Sequence, residues 1–155
     1  MTTQKQLDFR PVQADDAPLL LAWRNDEGTR QNSRRRAPIT EPAQKWLETF
    51  AGEHPGRAMF IALQDKEPVG LVYTDQSSDG FREISYIIAP ERRGQGLGVS
   101  MVSSFVRHYL VGVRIKAFIY EGNAASENIA KAIGLRPLHR SSAEGDTRVL
   151  VEWQS

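Results

Sequence analysis

The chain has no cysteine. That excludes disulfide bonds, thiolate-held metal sites and a cysteine nucleophile. No apolar run comes near the ~20 residues of a helical membrane span, so no membrane partner is expected. The start, MTTQKQLDFR, is too polar for a secretory signal, and a reducing cytoplasm is the expected location. One-sided charge is missing too. The net charge is +1, which argues against a dedicated nucleic-acid binder. His54, His108 and His139 are scattered without metal-ligand spacing, so no metal is expected. A GxxxxGK[ST] phosphate loop is absent, and no Ser-His-Asp constellation can be argued.

What is present is the composition of a soluble globular protein. Of 155 residues, 40% are hydrophobic and 25% charged, enough to build a core in one domain spanning 1–155. LDFR (7–10) reads as a short first strand. Asp15 or Asp16 caps a helix bearing Leu19, Leu20, Leu21 and Trp23, with Pro18 in its first turn. Residues 27–39, EGTRQNSRRRAPI, read as a polar, basic loop. Thr40 opens a helix that sets Trp46, Leu47 and Phe50 on one face, and Gly52 ends it. AMFIALQD (58–65) and PVGLVYTD (68–75) form an antiparallel hairpin about a turn at Lys66 and Glu67. FREISYIIAP (81–90) is a further strand, rich in β-branched and aromatic residues. A helix follows with Leu97, Met101, Phe105 and Tyr109 along one stripe. RIKAFIYEGN (114–123) returns as a strand. NAASENIAKAIGL is a helix capped by Asn123 and stopped by Gly134. RPLHR and TRVLVEWQ close a mixed α/β domain built around one sheet.

Residues 92–98 read RRGQGLG, between a strand and a helix. Glycine costs roughly 1 kcal/mol against alanine inside a helix, so glycines at its mouth point to a need for bare backbone. The first amides of a helix lack internal acceptors, and that end carries partial positive charge. Without a Cβ in the way, a phosphate can approach those amides. Arg92 and Arg93 add charge at the rim. The segment reads as a cradle for a pyrophosphate. A dinucleotide fingerprint, GxGxxG, fits Gly94 and Gly96 but fails at Val99. Glu121 lies near the offset of a ribose-binding acid, which keeps that reading as a competitor.

The run Arg93-Gly94-Gln95-Gly96-Leu97-Gly98, preceded by Ile88-Ala89-Pro90-Glu91, resembles the acetyl-CoA loop of the GNAT superfamily of acyl-CoA-dependent N-acyltransferases. Asn123 and Ser126, followed by Ile129, Lys131, Gly134 and Leu135, resemble that family's asparagine helix. LLLAWRND with ITEPAQKWLETF is similar to the branch of RimJ/RimL-type and amino-sugar-nucleotide acetyltransferases. The resemblance implies an α/β (α+β) fold, a mixed and mostly antiparallel sheet of six or seven strands flanked by helices. It implies acetyl-CoA as co-substrate, with its pyrophosphate on the amides of residues 93–98. The pantetheine arm would lie beside backbone groups of Ile87, Ile88 and Ala89, with Asn123 and Ser126 on its far side. It implies an acceptor pocket near Trp23, Arg24 and Asn25, and a small-molecule or peptide amine as acceptor. An amino-sugar nucleotide is the favoured acceptor, because Arg34, Arg35 and Arg36 form a basic run suited to an acidic substrate and Trp23, Arg24 and Asn25 end the first helix beside it. A homodimer is left open.

An attacking amine must shed a proton, so a base helps. Glu83 is the candidate: it lies on the strand feeding the glycine loop. Alternation sets Glu83, Ser85 and Ile87 on one face and Arg82, Ile84 and Tyr86 on the other. A carboxylate on a half-buried strand should have a raised pKa. Many GNAT members place a tyrosine acid seven residues after the asparagine; Ala130 stands there. Ser126 and Tyr120 are the substitute donors. The missing tyrosine also admits a non-catalytic acyl-CoA sensor.

Overall fold

A computed structural model describes residues 7–155; the polar start MTTQKQ lies outside them. The strands are β1 (Leu7–Pro11), β2 (Ala58–Gln64), β3 (Glu67–Gln76), β4 (Arg82–Ile88), β5 (Ile115–Tyr120), β6 (Arg136–Ser141) and β7 (Leu150–Gln154). They form a 7-stranded sheet in the order β1-β2-β3-β4-β5-β7-β6. The β4–β5 pair is parallel and the other neighbours are antiparallel. This is the mixed, mostly antiparallel sheet expected.

Helices α1 (Ala17–Asn25), α2 (Glu27–Gln31) and α3 (Ala43–Gly52) precede the hairpin; α4 (Leu97–Tyr109) and α5 (Ala124–Ala132) follow β4 and β5. Each sheet face carries its own apolar cluster. On one, Met101, Val102 and Phe105 of α4 and Ile129 and Ala130 of α5 cover Val72 and Ile84. On the other, Leu20 and Trp23 of α1 and Trp46 and Leu47 of α3 cover Ile61 and Leu71. The α4 stripe predicted from spacing is real. Leu97, Met101 and Phe105 are buried, and each such side chain stabilises by roughly 1.5–3 kcal/mol. Tyr109, at the end of the stripe, is 47% exposed, yet its ring stacks on Phe105 at 4.9 Å.

Local expectations shift at four places. The hairpin turn is Asp65-Lys66, with φ of 50° and 68°, and Glu67 already opens β3. Consecutive left-handed residues match the twist of the flanking strands. Asp16 sits at the cap position of α1, as expected, but its side chain makes no bond to the helix amides. Its carboxylate instead accepts two bonds from Arg10, both at 2.8 Å, and one from the Gln13 N–H at 2.7 Å. The basic loop begins as a helix, α2, because the Asp26 side chain accepts from the Thr29 N–H. Finally, α3 starts at Ala43 with Pro42 as its cap, not at Thr40.

The parallel pair positions the site. β4 and β5 are in register only at Arg82–Ile115 and Glu83–Lys116, and beyond those pairs they separate. The sheet therefore carries a wedge between its two central strands. The glycine loop and α4 follow at the wide end of β4.

Candidate active site

Gly94 and Gly96 have φ of +76° and +71°, and a Cβ on either would meet nothing within 4 Å. Left-handed backbone favours glycine, and the open surroundings leave these positions bare. Gly96 is the cap of α4, so the exposed residues Gly94 and Gln95 lead directly into the unpaired amides of its first turn. Gly98 serves differently. A Cβ there would lie 2.8 Å from Ile129 Cδ1, so its bareness lets α4 pack against α5. Leu97 turns its side chain into the core.

The arginines at the rim are engaged elsewhere. Arg93 donates from Nη1 to Asp26 Oδ2 and from Nη2 to Thr29 Oγ1, both at 2.7 Å. That bond, above all, holds the Asp26 carboxyl below the usual range. Arg92 sits 3.5 Å from Glu67. The Arg93 side chain, expected at a phosphate, instead ties the glycine loop to the start of α2.

Along the wedge, the Arg82 N–H donates to Arg114 O at 2.9 Å. Strand alternation then turns the backbone groups of Tyr86 and Ile88 toward the gap. This corrects the expectation for Ile87 and Ala89. The Ala89 N–H is spent on Val69 O at 2.9 Å, and Ile87, paired with Leu71, faces β3. Across the gap, Asn123 caps α5 by accepting from the Ser126 N–H at 3.4 Å.

One cavity of about 980 Å³ joins these features. It is lined by Gly94, Gly96 and Gly98 at one end and by Arg24, Trp46 and Tyr73 at the other, with Glu83, Tyr86, Tyr120, Asn123 and Ser126 between. Burial raises the Glu83 pKa, and the charge of Asp75, its cross-strand partner, adds to the shift. Asp75 accepts from Arg57 Nε at 2.7 Å and Nη2 at 2.8 Å. Arg57 lies over the rings of Phe50 and Tyr73, at 4.3 Å and 4.8 Å. Glu83 and Tyr86 occupy opposite faces of β4, as alternation required: Ser85, on the Glu83 face, opposes Tyr73, while Tyr86 packs on the α4 side.

The acceptor-side candidates divide. Arg24 lines the cavity. Trp23 is 3% exposed and sits in the α1–α3 cluster, so it supports the pocket wall from behind. Asn25 donates to Ile39 O at 2.9 Å and accepts from the Ile39 N–H at 2.8 Å; it pins the loop after α2. Tyr120 accepts from Arg148 Nη2 at 3.2 Å, with that guanidinium 3.9 Å from its ring.

Sequence reasoning assigned no role to Tyr86, whose hydroxyl donates to Ser126 O at 3.4 Å. Burial raises its pKa, so it stays protonated. The strand pattern gave its face, which was the available signal. The Arg57–Asp75 pair had none, since its members lie 18 residues apart. Among the described residues no group of three or more His, Asp or Glu assembles for a metal, and no helix is long and apolar enough to cross a membrane.

Residues 6–136 match the family described as Acetyltransferase (GNAT) domain. The chain belongs to the GNAT acetyltransferase family. Solved structures share the fold of this GNAT chain. The aminoglycoside acetyltransferase AAC(6')-Ib, in complex with coenzyme A and kanamycin, aligns with TM-score 0.79 at 17% identity, covering 97% of this chain and 94% of that one. Spermidine N-acetyltransferase from Vibrio cholerae, with CoA and spermine, aligns with TM-score 0.80 at 16% identity, covering 97% and 95%. A putative phosphinothricin N-acetyltransferase aligns with TM-score 0.78 at 16% identity, covering 96% and 97%.

Proposed function

We propose that the protein transfers an acetyl group from acetyl-CoA to an amine by direct attack with both substrates bound. The observation that carries this is the shared cavity: the bare α4 entrance, the open edge of β4 and the raised Glu83 carboxylate all border it. The residues present suit the cofactor. Gly94 and Gly96 leave room for a diphosphate against the α4 amides. The Tyr86 and Ile88 backbone groups offer a strand-like edge to the pantetheine arm, with Asn123 and Ser126 opposite. Coenzyme A complexes of aminoglycoside and spermidine acetyltransferases with this fold support the assignment. Acetyl-CoA supplies an activated acyl carbon.

The chain's own groups handle protons and orientation. Glu83 holds the amine side and accepts its proton, directly or through water; its raised pKa makes it a better base than an ordinary carboxylate. A backbone N–H of β4 faces the place where negative charge develops on oxygen. On the opposite face, Tyr86 is a protonated hydroxyl beside α5, where Ala130 replaces the tyrosine of many relatives. Tyr86 is therefore the favoured donor to the leaving sulfur, ahead of Ser126 and Tyr120. Tyr120 already accepts a bond from Arg148.

The acceptor is a small-molecule or peptide amine; an amino-sugar nucleotide rests on the basic run Arg34–Arg36 alone. Ala130, buried in the core, is the observation that favours a non-catalytic sensor. One assay separates the readings. Purified protein is titrated with acetyl-CoA, and thiol release is followed over a panel of amines. Binding with release supports transfer; tight binding without release for any amine supports the sensor; no binding overturns both.

A further inference from the structure

Arg24 is an unusual arginine in this chain. It sits in the last turn of α1, half-buried, and lines the cavity. Among the described residues its hydrogen bond is from Nη1 to Ser33 Oγ at 2.9 Å. Ser33 Oγ in turn donates to Thr29 O at 2.7 Å. Among the described residues Arg24 forms no salt bridge, although the Glu53 charge reaches it. The contrast with Arg57 is direct: at the same end of the cavity, Arg57 takes both oxygens of Asp75 and lies 3.7 Å from Glu53. A guanidinium has five N–H donors, and burying one without an anion is costly. Burial accordingly lowers the Arg24 pKa, and the nearby Arg35 charge lowers it further. Arg34 and Arg35 line the same cavity. Arg34 packs over the Phe118 ring at 5.4 Å, and neither arginine forms an ion pair among the described residues.

The acceptor end carries both signs of charge. Glu83 and Asp75 face each other across β3 and β4, where Arg57 binds Asp75, and the Arg34 charge reaches Glu83 and partly opposes the burial that raises its pKa. The guanidinium groups of Arg24 and Arg35 lie near each other, with the Glu53 charge acting on Arg24. The half-buried Glu41 also borders the cavity, without a salt bridge to any of them. A polycation would bring like charge against the arginine corner. A molecule with an amine at one end and an anion at the other would meet opposite charge at both.

We infer that the acceptor is a small amine carrying a carboxylate or phosphate group, with the anion held by Arg24 and Arg35 and the amine directed to Glu83. This rests on the transferase reading and narrows its substrate class. A cavity of about 980 Å³ shared with a cofactor arm favours a small acceptor over a protein tail. Arg24 offers the planar fork that suits either anion.

The test uses the full chain and three amines that share a two-carbon spacer, 2-aminoethyl phosphate, β-alanine and ethanolamine, with the longer polycation spermidine beside them. Binding to the protein, with and without saturating CoA, is read by tryptophan fluorescence, since Trp46 lines the cavity. Turnover is read by thiol release. The expected result is that an anionic amine binds at least about tenfold tighter than ethanolamine, as a charge-assisted pair allows. Its kcat/KM exceeds that of ethanolamine and spermidine, mostly through KM. Arg24→Gln closes the gap and Arg24→Lys restores part of it. The exposed Arg35→Gln narrows it and guards against a folding defect in the Arg24 variants. 2-Aminoethyl phosphate against β-alanine tells phosphate from carboxylate. Ethanolamine or spermidine matching the anionic amines, or a gap unchanged in Arg24→Gln and Arg35→Gln, overturns the inference. Acetyl-CoA binding with turnover of neutral amines alone sinks the anion assignment and leaves the transferase standing. Failure of acetyl-CoA to bind sinks the transferase, while the fluorescence gap still decides the anion site.

Discussion

Glu83 was found from its position on a strand, and its face followed from alternation. Its surroundings did not. Asp75 on β3, which faces it, and Arg57 just before β2, which restrains Asp75, are brought near only by the folded register. A single sequence shows which side of a strand a residue takes, but not which charges will meet it there. Two consequences follow from the raised pKa. Glu83→Gln should lower kcat by roughly 100-fold, a usual value for losing a general base, while acetyl-CoA affinity holds. The acid limb of the wild-type kcat/KM profile should lie above the ordinary 4.5 of a glutamate and vanish in the variant. Stability moves as well. A group that holds its proton more tightly when folded stabilises less as pH rises past its unfolded value. Urea unfolding should therefore show wild type losing ground to Glu83→Gln from about pH 4.5 upward, levelling off once Glu83 has ionised in the folded state. Parallel pH curves for the two proteins would remove both claims.

Among the elements, the strands and the longer helices were legible and the short helix was not. Apolar, β-branched and aromatic runs bounded by turns gave β2, β3 and β4, and a four-residue stripe gave α4. The short helix α2 was missed because a side-chain cap on five polar residues decides it. The glycine loop was read correctly as bare, yet its glycines divide by task. Gly96→Glu should abolish acetyl-CoA binding, since it adds bulk and negative charge where a Cβ meets open space. Gly98→Ala should instead leave acetyl-CoA affinity nearly unchanged and move stability by no more than about 1 kcal/mol, since the new Cβ meets only the far end of Ile129 and the gain in helix propensity offsets the crowding. Calorimetric titration reads the first and urea unfolding the second. Equal effects of both substitutions on affinity would contradict the division.

Across the whole molecule, the sheet order could not be read from the chain, because β7 inserts between β5 and β6. Nothing local in β4 or β5 announces that they part after two pairs. Hydrogen exchange tests what the gap does. The Tyr86 and Ile88 amides, turned toward it, should gain protection when acetyl-CoA binds. The Ala89 amide, already bonded to Val69 O, should change little. Protection rising at Ala89 and not at Tyr86 would place the arm elsewhere.

The gap closes at Glu83–Lys116. A chain fed in from the glycine end therefore reaches a dead stop at the very residue proposed to receive the proton. An acyl arm lying in the gap would meet that closure with its acyl end first, so lengthening the tail would crowd Glu83 before anything else.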